Sequence, residues 1–359
     1  MAAGPSLDEE VQLRRFIVPG LFVLALFIAL WVRRPAPEIP KWDFVGEAFG
    51  TSYSVQVLVE EAPTPKEAVD RAISAQIERV NTHLSTYHED SELSKLNRSE
   101  ALGPAALSDD LAAVLKEAVR IYGLSGGAFD VTIGPLVNAW GFGPEVVTPP
   151  SDAALTAARA KIGTDKLTLD EGAKTLKRAQ PGLYIDLSAI AKGYAVDIIG
   201  VAIEALGYSD YLVEIGGEVR ARGHNAKGAP WSVGIERPDG GAQDVSESLP
   251  LHDVSIATSG NYRNVRLVDG KAVTHILDAR TGDPVSHGLG SVSVLHPSCM
   301  TADAYATALY VLGAKEGLEV AERDGIAALF LAPGTEGAPP TRVTTRAFNQ
   351  LTSAKTNAR

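Results

Sequence analysis

In the run TADAYAT at 301–307, Asp303 and Thr307 stand four residues apart near the start of an expected helix, so a carboxylate and a hydroxyl share one face. Two hard oxygen donors so placed suit magnesium, which usually keeps water and substrate phosphate oxygens in its remaining positions. The same letters also suit a plain helix start, with Thr301 as cap and Asp303 complementing the dipole. A second run, IDLSAIAKGYAVD at 185–197, puts Asp186 at a strand end, then a small-residue turn, then Lys192 in the first turn of an amphipathic helix. A lysine there opposes the helix dipole unless an anion sits nearby, which points to a phosphate or carboxylate partner; a solvated lysine is the alternative.

Two further runs carry chemistry-bearing residues. THILDARTGDPV at 274–285 brings His275 and Asp278 off a strand into a Gly-Asp-Pro turn, a loop placement that suits function, although a lone histidine also serves as a packed or surface residue. GGAFDVTIGPLVNAWGFG at 126–143 surrounds one carboxylate, Asp130, with glycines and with Phe129 and Trp140, on which flat rings could stack. A tight aromatic corner of a core would read the same way. Two patterns are rejected. Gly123-Leu124-Ser125-Gly126-Gly127 fits GxSxG, but a helix precedes it where a nucleophile elbow needs a strand, so it reads as a helix stop. There is no GxxxxGK[ST] loop and no GxGxxG fingerprint, so a nucleotide would have to be held by other means.

The elements that must position these residues follow from hydrophobic period. Alternation of Tyr53, Val55, Val57 and Val59 predicts a strand over 51–59, and Thr64-Pro65-Lys66-Glu67 resembles a capping box with proline at the first helical position. Val69, Ile73, Ile77, Val80 and Leu84 then mark one helix face, and a second helix starts at Ser108 and stops in the glycines at 123, 126 and 127. A short helix is expected from Ser151 to Gly163, strands over 166–169, 175–178 and 183–185, and a helix over 188–206. Further strands follow over 211–222, 231–236, 265–268 and 272–277 with an Asp269-Gly270 turn, and over 291–295 and 326–332. Helices are expected over 301–312 and 315–323. The irregular order of helices and hairpins predicts an α+β fold with mixed, largely antiparallel sheets and flanking helices.

Composition bounds the rest. With 359 residues, 45% hydrophobic and 21% charged, the chain reads as globular. The net charge of -11 is spread along the chain and no basic run interleaves with aromatics, so nucleic acid is not an expected partner. One cysteine, Cys299, excludes an internal disulfide and a multi-cysteine metal site. Residues 16–32 are apolar throughout except for Pro19 and Gly20, with Arg14 and Arg15 before them and Arg33 and Arg34 after. At helical rise they span roughly 25 Å, the short end for crossing a bilayer. No small-x-small cleavage site follows, so an uncleaved signal anchor is expected, preceded by a tail over 1–15 and followed by a proline-rich linker over 33–45. The globular part is expected over 46–345, and 346–359 reads as a polar tail.

Together with FGTSYSV at 49–55 and STYHEDSELSKLN at 85–97, the four chemical runs resemble the ApbE family of FAD:protein FMN transferases, from about Gly46 to beyond Ala332. The resemblance implies that family's fold with FAD in a cleft. It implies Asp303, Thr307 and the Ala189 main-chain carbonyl as magnesium ligands. FAD contacts are implied at Phe49, Tyr87, Ala128, Phe129, Asp130, Asp186, Lys192 and Leu277, and His275 stands where the family keeps its histidine. His275 is then the expected acceptor of a hydroxyl proton, with Asp278 in second place. Ser188-Ala189 replaces a more usual glycine pair, Ala279 a common proline, and Tyr305 a smaller apolar residue. The implied reaction moves FMN from FAD onto a Thr or Ser hydroxyl of an acceptor protein and releases AMP. The acceptor is expected in a membrane redox complex, with the catalytic domain on the periplasmic face of the inner membrane. An FAD pyrophosphatase and a non-catalytic, membrane-tethered FAD-binding protein are the alternatives.

Overall fold

The alternation at 51–58 produces one strand of an eight-stranded sheet: β1 (Lys41–Ala48), β2 (Thr51–Leu58), β3 (Tyr211–Ile215), β4 (Glu218–Arg222), β5 (Val254–Gly260), β6 (Ser291–His296), β7 (Ala327–Ala332) and β8 (Thr341–Thr344). These strands lie side by side in chain order, every pair antiparallel. The computed structural model describes residues 38–142, 151–238, 244–260, 265–268, 271–334 and 339–356. The expected anchor at 16–32 lies outside them. Among the described residues no helix is long and apolar enough to cross a membrane.

Among the described residues five longer helices accompany the sheet: α1 (Lys66–Leu84), α2 (Asp109–Leu124), α3 (Ala191–Ala205), α4 (Cys299–Asp324) and α5 (Arg346–Thr356). α3 packs on β3 and β4, α4 on β5 and β6, and α1 on α3. Val55, Val57, Ile73, Val196, Ile199, Val213, Ile215 and Leu309 are fully buried in one continuous core. A buried carboxylate ties three helices together: Asp110 of α2 accepts from Arg79 Nε at 2.7 Å and Nη2 at 2.6 Å, and from the Tyr194 hydroxyl. Burial opposes its charge, but the bonds from Arg79 and Tyr194 outweigh that and hold the carboxyl below its ordinary range.

Several boundaries differ from expectation for identifiable reasons. Residues 41–45, read as linker, begin edge strand β1, whose partner is set by a two-residue turn at Phe49 (φ 55°) and Gly50 (φ 75°). Thr64 makes no helix cap. Its hydroxyl donates instead to the Tyr208 hydroxyl at 3.3 Å, and Pro65 precedes the first helical residue. Residues 183–185 form no strand, because the Ile185 N–H and carbonyl bond the Asn97 side-chain amide, each at 2.8 Å. α3 starts at Ala191. α4 is capped by Ser298, whose hydroxyl accepts from the Thr301 N–H at 3.3 Å, and it is broken at Gly313 (φ 74°, ψ -178°), where two helices were expected to separate. The supposed polar tail is largely helix α5, anchored by the fully buried Phe348. The GxSxG run closes α2, with Gly126 and Gly127 both at positive φ. Small antiparallel sheets complete the α+β fold, among them the ribbon of 231–236 with 245–251 and the hairpin of 265–268 with 271–274.

Candidate active site

A cleft of about 870 Å³ opens where the loops between sheet strands meet. Tyr87, Ala128, Phe129, Asp130, Asp186, Ala189, Lys192, His275, Leu277, Asp303 and Thr307 all line it, although they come from segments far apart along the chain. Two expected residues lie elsewhere. Phe49 sits in the β1–β2 turn, packed against the main core. Asp278 is engaged by Arg280, whose Nη2 stands 2.8 Å from its Oδ2 and whose backbone N–H donates to Oδ1 at 2.9 Å. A carboxylate held this way braces the 277–284 turn and is poorly placed to take a proton. Trp140 also serves that turn, donating from Nε1 to the Gly282 carbonyl at 3.0 Å.

One corner of the cleft is built by α3 and α4. Gly193, in the first turn of α3, donates its N–H to Asp303 Oδ2 at 3.0 Å, and a Cβ at Gly193 would stand 2.4 Å from the Cys299 carbonyl oxygen. One turn further on, Asp197 accepts from the Cys299 and Met300 N–H groups, each at 3.0 Å, and from the Ser298 hydroxyl at 2.8 Å, so a carboxylate on α3 caps the start of α4. These contacts fix the register in which Asp303 and Thr307 face the cleft. The Thr307 and Ser259 hydroxyls are 2.9 Å apart. Because the Gly193 N–H goes to Asp303, the Ala189 carbonyl, its ordinary i-4 acceptor, receives no backbone donor among the described residues.

The electrostatics of this corner favour a cation. Asp303 is 3% exposed, and burial pushes its carboxyl up despite the opposing charge of Lys192 and the bond from Gly193. Lys192 pairs with Glu218, Nζ to Oε2 at 2.7 Å. Burial works against the ammonium, but the charges of Asp303 and Glu218 outweigh it and hold the lysine above its ordinary range. Burial pushes the Glu218 carboxyl up to about 7 in spite of Lys192. Among the described residues no three His, Cys, Asp or Glu side chains gather as a metal cluster. Asp303, the Thr307 hydroxyl and the Ala189 carbonyl are nonetheless all oxygen donors, a sparse hard set that fits magnesium and not zinc.

Other parts of the lining are aromatic and loop-built. Tyr87 is 81% exposed at the mouth, while Phe129 is buried in the wall. Asp130 braces its own loop: Oδ1 accepts from Thr132 N at 2.8 Å, from Thr132 Oγ1 at 2.6 Å and from Thr164 Oγ1 at 2.7 Å. Asp186 Oδ1 accepts from the Ser188 N–H at 2.9 Å and hydroxyl at 2.5 Å, so the serine that replaces a usual glycine turns its side chain onto Asp186. The His275 ring lies edge-on to Phe142, centroids 6.5 Å apart. Sequence reasoning missed Tyr184, Glu218 and Ser259, which also line the cleft. Only the Gly216-Gly217 doublet before Glu218, with φ of 60° and 103°, could have marked that turn.

Such a cleft suits a ligand carrying both flat rings and phosphates. The ApbE family model matches residues 49–330, and the chain belongs to the ApbE family. The FAD:protein FMN transferase of Vibrio cholerae is 40% identical over 315 residues, 87% of this chain and 93% of that protein. That of Haemophilus influenzae is 40% identical over 340 residues, 93% of this chain and 98% of that protein. The solved flavin transferase ApbE from Vibrio cholerae superposes with a TM-score of 0.80 at 39% identity, covering 87% of this chain and 99% of that one.

Proposed function

We propose that this ApbE-family chain is a magnesium-dependent FAD:protein FMN transferase that moves FMN from FAD onto a threonine or serine hydroxyl of an acceptor protein. The observation that carries the reading is the meeting, in one cleft, of the Asp303, Thr307 and Ala189 oxygens with Lys192, Tyr87, Phe129 and His275. The acceptor oxygen bonds to the FMN phosphorus, the bond from that phosphorus to the AMP oxygen breaks, and the hydroxyl proton passes to His275. Asp303, Thr307 and the Ala189 carbonyl would hold the magnesium, which when bound supplies charge stabilisation at the pyrophosphate. Lys192 adds a fixed positive charge beside the phosphates, and the aromatic wall orients the flavin, so positioning and electrostatics provide most of the rate. The apolar segment 16–32 anchors the enzyme in the inner membrane with the catalytic domain on the periplasmic side, near an acceptor subunit of a redox complex.

The test incubates the detergent-solubilised full chain with FAD, magnesium and a candidate acceptor and examines the acceptor for covalent flavin fluorescence in a denaturing gel. Label on the acceptor supports transfer. Free AMP without label identifies an FAD pyrophosphatase, and neither product identifies a binding protein.

A further inference from the structure

Glu218 has no role in the chemistry above, yet it is a carboxylate buried in the wall of the cleft, 3% exposed, delivered there by the Gly216-Gly217 turn at the start of β4. Its Oε2 takes no well-directed hydrogen bond, and the ammonium of Lys192, 2.7 Å away, is its counter-charge. Lys192 forms no ion pair within 4.0 Å with Asp303, although the charge of Asp303 acts on it strongly. Two buried carboxylates therefore compete for one lysine, and the structure gives it to Glu218. An ammonium resting on Asp303 would occupy the oxygens a divalent cation needs and repel that cation at short range.

We propose that Glu218 is a positioning residue that holds the Lys192 ammonium off Asp303 and so keeps the Asp303 carboxylate open to a divalent cation. The inference rests on the reading of Asp303 as a metal ligand given under Proposed function. It assigns Glu218 no contact with FAD and none with the reacting atoms. Its effect is on metal affinity: without the Glu218 charge, Lys192 turns to Asp303 as its remaining anion, and the cation must displace it.

The test is a Mn2+ titration of the full chain without FAD, with free Mn2+ read from its electron paramagnetic resonance signal. The wild-type curve tests the metal reading itself; no binding there would overturn both that reading and this inference, whereas variant curves on a binding wild type address Glu218 alone. Glu218→Gln is expected to weaken Mn2+ binding about 10- to 100-fold. Adding Lys192→Met to it is expected to return the affinity to within about threefold of wild type, because the competitor is gone. A crystal structure of Glu218→Gln should place Lys192 Nζ within about 4 Å of Asp303, the reach of an ion pair. Unchanged affinity in Glu218→Gln, or a double variant as weak as the single one, would overturn the proposal. Should Glu218→Gln not fold on its own, the Lys192→Met background decides it: Lys192→Met and Lys192→Met/Glu218→Gln are expected to bind Mn2+ within about threefold of each other, and a gap of about tenfold refutes it.

Discussion

The N–H of Gly193 and the carboxylate of Asp303 meet at 3.0 Å across a helix pair packed so closely that the glycine has no room for a side chain. A methyl group at Gly193 would press on the Cys299 carbonyl at 2.4 Å and on Asp303 Cβ at 2.8 Å, both parts of the facing helix. Gly193→Ala is therefore expected to destabilise the fold by about 1–3 kcal/mol. By shifting α4 it should also lower transfer about 100-fold. Denaturant melts and the flavin gel assay, run on the same preparation, check both effects; a variant with wild-type rate would show that the helix contact does not set the cleft.

Asp303→Ala should abolish transfer. A ligand that binds the native state alone raises its melting temperature, so magnesium should stabilise the wild type and leave this variant unmoved. Full activity of Asp303→Ala under chelation would remove magnesium from the mechanism.

His275→Ala should lower the transfer rate about 10²- to 10⁴-fold, the usual range for loss of a general base, while FAD affinity stays nearly intact. Flavin fluorescence quenching gives the affinity and the gel assay the rate. Equal losses in both would make His275 a binding residue instead.

His296, which is not among the residues lining the cleft, supplies a pH dependence. Its Nδ1 accepts from the Ser298 N–H at 3.0 Å at the entry to α4, and burial pushes its pKa down. A histidine with a lowered folded pKa binds fewer protons when native, so stability is present above the unfolded value of about 6.5 and is lost as pH falls through the folded value. Melting temperatures measured from pH 7.5 to 5 should fall more steeply for the wild type than for His296→Asn, which keeps an acceptor and removes the titration. Parallel curves would assign the acid sensitivity to other groups.

Phe348→Ala should cost about 3–5 kcal/mol in urea unfolding, the usual penalty for truncating a buried aromatic, although it lies far along the chain from the cleft residues. A loss under about 1 kcal/mol would mean that the C-terminal helix adds little to the fold.

What could be read from the chain depended on the range of the interaction. Asp303 and Thr307 announce themselves because a helix repeats locally, and Ser108 and the 123–127 glycines do so because caps are local. Glu218 and Ser259 stay silent, since a polar residue at the end of a strand looks solvated until the partner that covers it is known. Ile185 misled for the same reason: its backbone partner is the Asn97 side chain, 88 residues earlier. Asp278 looked free because Arg280 reads as an exposed charge, yet the turn folds one onto the other. Among the described side chains of the 346–356 helix only Phe348 is fully buried, too thin an apolar stripe to register as a period.

The eight sheet strands succeed one another like pleats in a ribbon, and the residues of the cleft hang mainly on the excursions between them. The β1–β2 and β3–β4 hairpins join strands that follow one another directly and can close early, whereas β2 meets β3 only across the long excursion from Val59 to Asp210, which carries α1, α2 and α3. A loop at the rim can lengthen or change its letters without disturbing the pairing beneath it. Divergence in what docks at the mouth should accordingly be written in those loops, around an unchanged α3–α4 corner.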